Sequence, residues 1–128
     1  MPFEPQYPTS ATIVLEGAIR LLKKGHCKEA CARDKKDEIV RYTSTKAASW
    51  SLYGALYAAG EEVSDARHRD EVVRHLSGRV HGGLVRYNDA SERLKEEVIT
   101  LLQDVLKEVK ECKKKRAAAK TAQKEEAE

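Results

Sequence analysis

The sequence predicts a mainly α-helical fold: a compact bundle of about four helices, with a short β-hairpin after the first helix and a long C-terminal helix. Three observations carry this expectation. Apolar residues recur at spacings of three and four in four separate stretches. Residues 26–42 lose that period, and glycines or cap-forming side chains stand between the stretches. A chain of 128 residues can bury enough apolar surface to fold as one domain without a disulfide or a metal.

Taken in order, residues 1–8 hold three prolines and read as an N-terminal arm. Thr9 or Ser10 then caps a first helix whose inner stripe is Ile13, Val14, Gly17, Ala18, Leu21 and Leu22, stopped by Gly25. In "CARDKKDEIVRY" a charged centre sits between short apolar pieces, which suits a surface hairpin between Cys31 and Tyr42. Ser44 or Thr45 opens a second helix, "KAASWSLYGALYAAG". It has almost no charged face after Lys46, so it is expected to be the most buried element, with Trp50, Leu52 and Leu56 in the core. Ser64 caps a third helix with Ala66, Val72, Val73, Leu76 and Val80 inward, ending near Gly78 before a glycine-rich loop.

The final helix has the clearest period: Leu94, Val98, Leu101, Val105, Val109 and Cys112, backed by Ile99, Leu102 and Leu106. Asp89 and Glu92 have capping-box spacing, and Glu92, Glu96 and Glu97 place negative charge where the helix dipole favours it. Beyond Cys112, "KKKRAAAKTAQKEEAE" has nothing larger than alanine to bury. The domain is therefore drawn as 9–112, with 113–128 a charged extension, either a solvated helix or a frayed tail.

Composition narrows the functional classes. No apolar stretch approaches the roughly 20 residues of a membrane span, and no secretory leader stands at the start. Cys27, Cys31 and Cys112 cannot all pair with one another, so they read as cytosolic thiols and the protein as cytoplasmic. The net charge of +3 is small against 24 basic and 21 acidic residues, so it allows an anionic partner without demanding one. No nucleophile elbow, P-loop or dinucleotide fingerprint is present, and no catalytic residue or cofactor is assigned. His26, Cys27 and Cys31 are soft-metal ligand types, but no second cluster stands at zinc-site spacing, so no metal is assigned.

What remains is Tyr87-Asn88-Asp89. Helix punctuation explains Asp89 best, and Asx residues are common caps. The alternative is a ligand-contacting or partner-contacting loop made by Tyr87, Asn88 and Asp89 with His81 and Trp50. An enzyme using Asn88, Asp89 and His81 rests on nearness in sequence alone.

Three runs carry a family resemblance: "LLKKGHCKEACARD", "WSLYGALYAAG" and "GGLVRYNDASERLKEEVITLL". Together, over about residues 11–106, they resemble an uncharacterised domain family of unknown function found in bacteria and phages. In that pattern a helix ends in Gly-Trp, a Trp-Cys precedes Gly-Ala-Leu, and a Trp-Asn-Asp precedes a Thr-capped helix with Glu-Glu-Val. Here the motifs fall on Trp50-Ser51 with Gly54-Ala55-Leu56, and on Tyr87-Asn88-Asp89 with Glu96-Glu97-Val98. The chain departs at His26 and Tyr87 for tryptophan, Ser51 for cysteine and Leu94 for threonine, which removes any cysteine chemistry from that motif. The resemblance implies a small, mostly helical, intracellular bacterial or phage protein.

The function expected is a non-catalytic binding or protein-interaction module, an accessory protein of a phage or mobile element. Its partner would be another protein, and a homo-oligomer through the C-terminal helix is compatible with the pattern. The alternative is weak nucleic-acid binding through Lys113, Lys114, Lys115, Arg116 and Lys120, helped by Arg79 and Arg86.

Overall fold

The computed structural model describes residues 2–126. Met1, Ala127 and Glu128 lie outside the described residues, and with them the extreme ends of the 1–8 arm and the 113–128 extension. The chain runs α1 (Pro8–Lys24), β1 (Ala32–Arg33), β2 (Ile39–Val40), β3 (Ser49–Trp50), α2 (Leu52–Gly60), α3 (Ala66–Arg79), α4 (Leu84–Asp89) and α5 (Lys95–Glu126). The fold is mainly helical as expected, with a fifth, short helix where the sequence reads as a loop.

Helix α1 begins at Pro8 and not after a Thr9 or Ser10 cap. Its N-cap, Tyr7, makes no side-chain bond, because a proline in the first turn has no N–H to satisfy and a preset φ. Leu15 and Ile19 are buried alongside Ala11, Val14, Ala18 and Leu22, whereas Ile13 is exposed. The buried arc is wider than one stripe because α1 is the central helix, packed most extensively on α2 and α5 and also on α3.

The hairpin forms as β1 and β2, with Asp34 Oδ1 accepting from the N–H groups of Lys36 (2.9 Å) and Glu38 (3.0 Å) in the turn. A third strand joins it, in the antiparallel order β2-β1-β3, with Ala32 opposite both Val40 and Trp50. This corrects the second helix. Ser44 does not cap it but accepts from Lys46 N–H in a local turn, and Trp50 lies in β3 with its main chain bonded to Gly25 and Cys27. The helix starts at Leu52, capped by Ser51, whose Oγ accepts from Gly54 N–H at 3.0 Å. From there it is the buried element foreseen, with Leu52, Ala55, Leu56 and Ala59 in the core. Gly54 is required by close approach: a Cβ there would stand 2.0 Å from the carbonyl oxygen of Cys31, so only glycine lets the loop before β1 rest on α2.

Helix α3 is capped by Asp65 and not Ser64. Its carboxylate accepts from Arg67 N–H, and hydrogen bonding to the Arg67 side chain and backbone brings its pKa down to about 2. Only Val72 and Leu76 of the expected stripe are fully buried, and Ala66 is exposed. Gly82 and Gly83, at φ 83° and 90°, turn the chain in a conformation that L side chains resist and deliver α4. Helix α5 starts at Lys95, so the Asp89–Glu92 box does not form. Instead Glu97 Oε1 accepts from Leu94 N–H at 2.9 Å, and Leu94 is exposed. Val98, Ile99, Leu102, Val105, Val109 and Cys112 fill the core as their spacing predicted. Past Cys112 the helix continues to Glu126, and residues 113–122 are all exposed. No helix among the described residues is long and apolar enough to cross a membrane.

The arm lies on α3 and α5. Phe3 is buried, its N–H donating to Glu108 Oε2 and its ring stacked on His75, and Arg116 Nη1 donates to Gln6 O at 3.1 Å.

Candidate functional site

Asn88 is buried almost completely, in the last turn of α4, facing the start of α2 and the loop that follows α1. Its Oδ1 accepts from Leu52 N–H at 3.0 Å and from His26 Nε2 at 2.6 Å. Its Nδ2 donates to Cys27 O at 3.0 Å and to Asp89 Oδ1 at 3.0 Å. Leu52 N–H can only donate, which fixes the orientation of the amide, and Oδ1 can only accept, which puts the His26 proton on Nε2. Every hydrogen-bonding position of the side chain is filled. Leu52 N–H is an orphan donor in the first turn of α2, so that helix is capped twice, by Ser51 from its own chain segment and by Asn88 from α4.

Around this amide the neighbouring loops are pinned. Asp89 Oδ1 accepts from Glu29 N–H at 2.9 Å, holding a non-glycine residue at φ 61°, and Lys28 Nζ donates to Ala90 O at 2.6 Å at the end of α4. Asp89 is therefore a tie between α4 and the 26–31 loop, not the cap of the final helix. Asp89→Asn should be mild, since an acceptor for Glu29 N–H remains. Asp89→Ala removes the acceptor of both Glu29 N–H and Asn88 Nδ2 and should cost about 1–3 kcal/mol, two hydrogen bonds at a half-exposed position, in denaturant titrations of both variants.

Beside Asn88 opens a cleft of about 210 Å³ lined by Glu29, Ala30, Cys31, Ser51, Tyr53, Val85, Asn88 and Asp89. Cys31 is half-buried and unpaired. Tyr53 stacks on Tyr57 with ring centroids 4.3 Å apart, and the neighbouring phenol together with burial pushes its pKa up to about 12. Cys27 stands behind the cleft, buried, with its thiol directed at Ala30 O at 3.7 Å; burial pushes its pKa up against the lowering effects of Ser49 and Arg33. Ligand sites for small molecules usually offer about 300–1,000 Å³. This cleft is smaller, with room for one or two side chains.

The five residues singled out in the sequence divide. Asn88 and Asp89 are together at the cleft. Tyr87 is half-buried and turned away, its ring under Arg93 at 3.7 Å, lining a groove with Glu96, Glu97, Thr100, Leu101 and Asp104. Trp50 meets the cluster only through its main chain; its indole N–H donates to Tyr42 O at 3.1 Å, and it lines another cavity with Gly17, Arg20, Leu21 and Lys24. His81 is exposed in the turn before α4 and does not line the cleft. Glu29, Ser51, Tyr53 and Val85 are not foreseen by the sequence pattern. The signal for Ser51 is nonetheless present in "SLYG", a cap residue directly before an apolar run. Among the described residues no group of three or more His, Cys, Asp or Glu side chains could hold a metal ion.

No curated protein and no solved structure matches the chain. A family model described as "Family of unknown function (DUF6197)" matches residues 6–108, a span that holds α1 to α4, the sheet, the Asn88 cluster and the first part of α5. The chain therefore belongs to that family.

Proposed function

We propose that the protein is a non-catalytic, cytoplasmic interaction module that receives a segment of a protein partner on the face around Cys31. One observation carries this reading: two large aliphatic side chains, Val85 and Ile39, are 59% and 67% exposed at the two ends of a continuous surface. Val85 lines the Asn88 cleft and Ile39 lines a groove with Val40, Arg41, Tyr42 and Thr43, and Cys31 lines both. Exposed apolar surface bounded by polar groups is what interaction sites present, and β2 is an edge strand available to an extended segment. The Asn88 network supplies rigidity, so little ordering cost remains at binding. The bacterial or phage setting implied by the sequence resemblance is compatible with an accessory role of this kind.

The test compares proteins captured by the wild-type chain with those captured by Val85→Asp and Ile39→Lys, both surface changes expected to leave thermal stability within about 0.5 kcal/mol. A partner retained by wild type and lost from both variants is expected. Identical capture by all three chains would refute the assignment.

A second reading, polyanion binding, is favoured by the helical extension. Lys113, Lys114, Lys115 and Lys120 are exposed, with no ion pair to a carboxylate of residues 2–122 within 4.0 Å. Deleting residues 113–128 should weaken any binding to duplex DNA equally across sequences and flatten its salt dependence, by about 0.9 in log–log slope for each phosphate that is no longer neutralised. A tight, sequence-selective complex surviving the deletion would place nucleic-acid recognition on the folded domain.

A further inference from the structure

The arm is attached at both ends by the same two devices, a ring over a histidine and a main-chain N–H on a carboxylate. Phe3 stacks on His75 with ring centroids 4.1 Å apart and planes 9° from parallel, and its N–H meets Glu108 Oε2 at 3.2 Å. Gln6 N–H donates to both oxygens of Glu71 at 3.1 Å, and Tyr7 packs on His68 with centroids 4.0 Å apart. His75 is itself tied down. Arg79 Nε donates to its Nε2 at 2.8 Å, and the same guanidinium pairs with Glu108. An arginine has no acceptor, so Nε2 must carry the lone pair and the ring is neutral.

We propose that the N-terminal arm is a proton-released strap, held down while His75 is neutral and freed when His75 takes up a proton. Protonation puts an N–H on Nε2, head-on against the Arg79 N–H, in place of the present hydrogen bond. The charged groups that act on His75 among the described residues are Arg79 on its own helix and Glu108 on α5; only Glu108 favours a cation. Glu108 is already engaged by Arg79 and Phe3 N–H, and turning to the imidazolium would release Phe3. Both routes loosen the arm.

Thermodynamic linkage gives the same direction. Burial, to which the Phe3 ring contributes, and then Arg79 hold the His75 pKa below its usual 6.5. The strapped state therefore binds the proton less well than the open state, and its stability falls as pH drops below 6.5 through the lowered value. Burial raises the pKa of Glu108, but Arg79 and Phe3 N–H outweigh it and hold the carboxyl below its usual value.

The measurement is the backbone 15N heteronuclear Overhauser effect of Phe3, Glu4, Gln6 and Tyr7 in the full chain between pH 8 and pH 4.5. In wild type it is expected to match the helices at pH 8 and to fall below pH 6.5 in step with the His75 ring signals. In His75→Phe, whose ring stacks but cannot ionise, residues 3–7 should stay ordered throughout. A wild-type arm that stays ordered while His75 titrates, or is mobile throughout, would overturn the proposal, as would a His75→Phe arm that loosens over the wild-type range. If the His75→Phe arm is already mobile at pH 8, His75→Gln decides, because it keeps an acceptor for Arg79: an ordered, pH-insensitive arm supports the strap and any other behaviour overturns it.

Discussion

Leu56→Ala should lower the unfolding free energy by about 2–5 kcal/mol. Leu56 is 0% exposed in the middle of α2, the helix that packs on both α1 and α3. Truncation removes the transfer free energy of the lost carbons and leaves a cavity that α1 cannot close, because Gly17 and Ala59 already hold the two helices close: a Cβ on Gly17 would lie 2.9 Å from that of Ala59. Urea melts would show the effect as a lower midpoint at unchanged slope. A loss below about 0.5 kcal/mol, the range of surface substitutions, would mean that α2 is not the packed centre of the domain.

Asn88→Ala should cost about 3–5 kcal/mol, since it leaves Leu52 N–H and Cys27 O buried without partners, at roughly 1–3 kcal/mol each. Asn88→Asp separates the acceptor role from the donor role. It preserves acceptors for Leu52 N–H and His26, but turns an ionised oxygen toward Cys27 O and Asp89, both acceptors. The carboxyl introduced in that variant is desolvated and faced by negative atoms, so its folded pKa must lie above the ordinary value of about 3.9. A raised folded pKa contributes stability below the unfolded pKa and loses it as pH rises through the folded value. The deficit of Asn88→Asp relative to wild type should therefore be larger at pH 7 than at pH 4. Equal deficits at both would show that the amide donors are not used as described.

The legible parts of the fold are those whose cause is local. The stripe of α5 is a run of apolar residues at spacings of three and four, backed by a single neighbouring layer, and it needs no knowledge of the rest of the chain. Trp50 is different: its local sequence favours helix, while its main chain is bonded in space to Gly25 and Cys27, and this pairing overrides propensity. The same holds for Asn88. Its place after Gly82 and Gly83 reads as an ordinary loop position, yet its partners His26 and Leu52 are 62 and 36 residues away in sequence. A pattern of short-range spacings carries no record of hydrogen bonds at that separation. Asp89 misleads for a related reason, because capping-box spacing recurs wherever acids are frequent and forms a box only if the helix starts there.

Because fourteen residues of α5, 113–126, continue the helix with residues 113–122 all exposed, this part has little to make it melt together with the domain. At about 1.5 Å per residue it projects roughly 20 Å, held by little more than helix propensity and the Arg116 bond to the arm. On warming, far-ultraviolet ellipticity should decline steadily well before the domain unfolds, while fluorescence of Trp50, the single tryptophan, stays flat until β3 and α2 come apart. Two optical probes would then give different transition curves for a domain that itself unfolds in one cooperative step, and their divergence would measure the fraying of a helix end and not a folding intermediate.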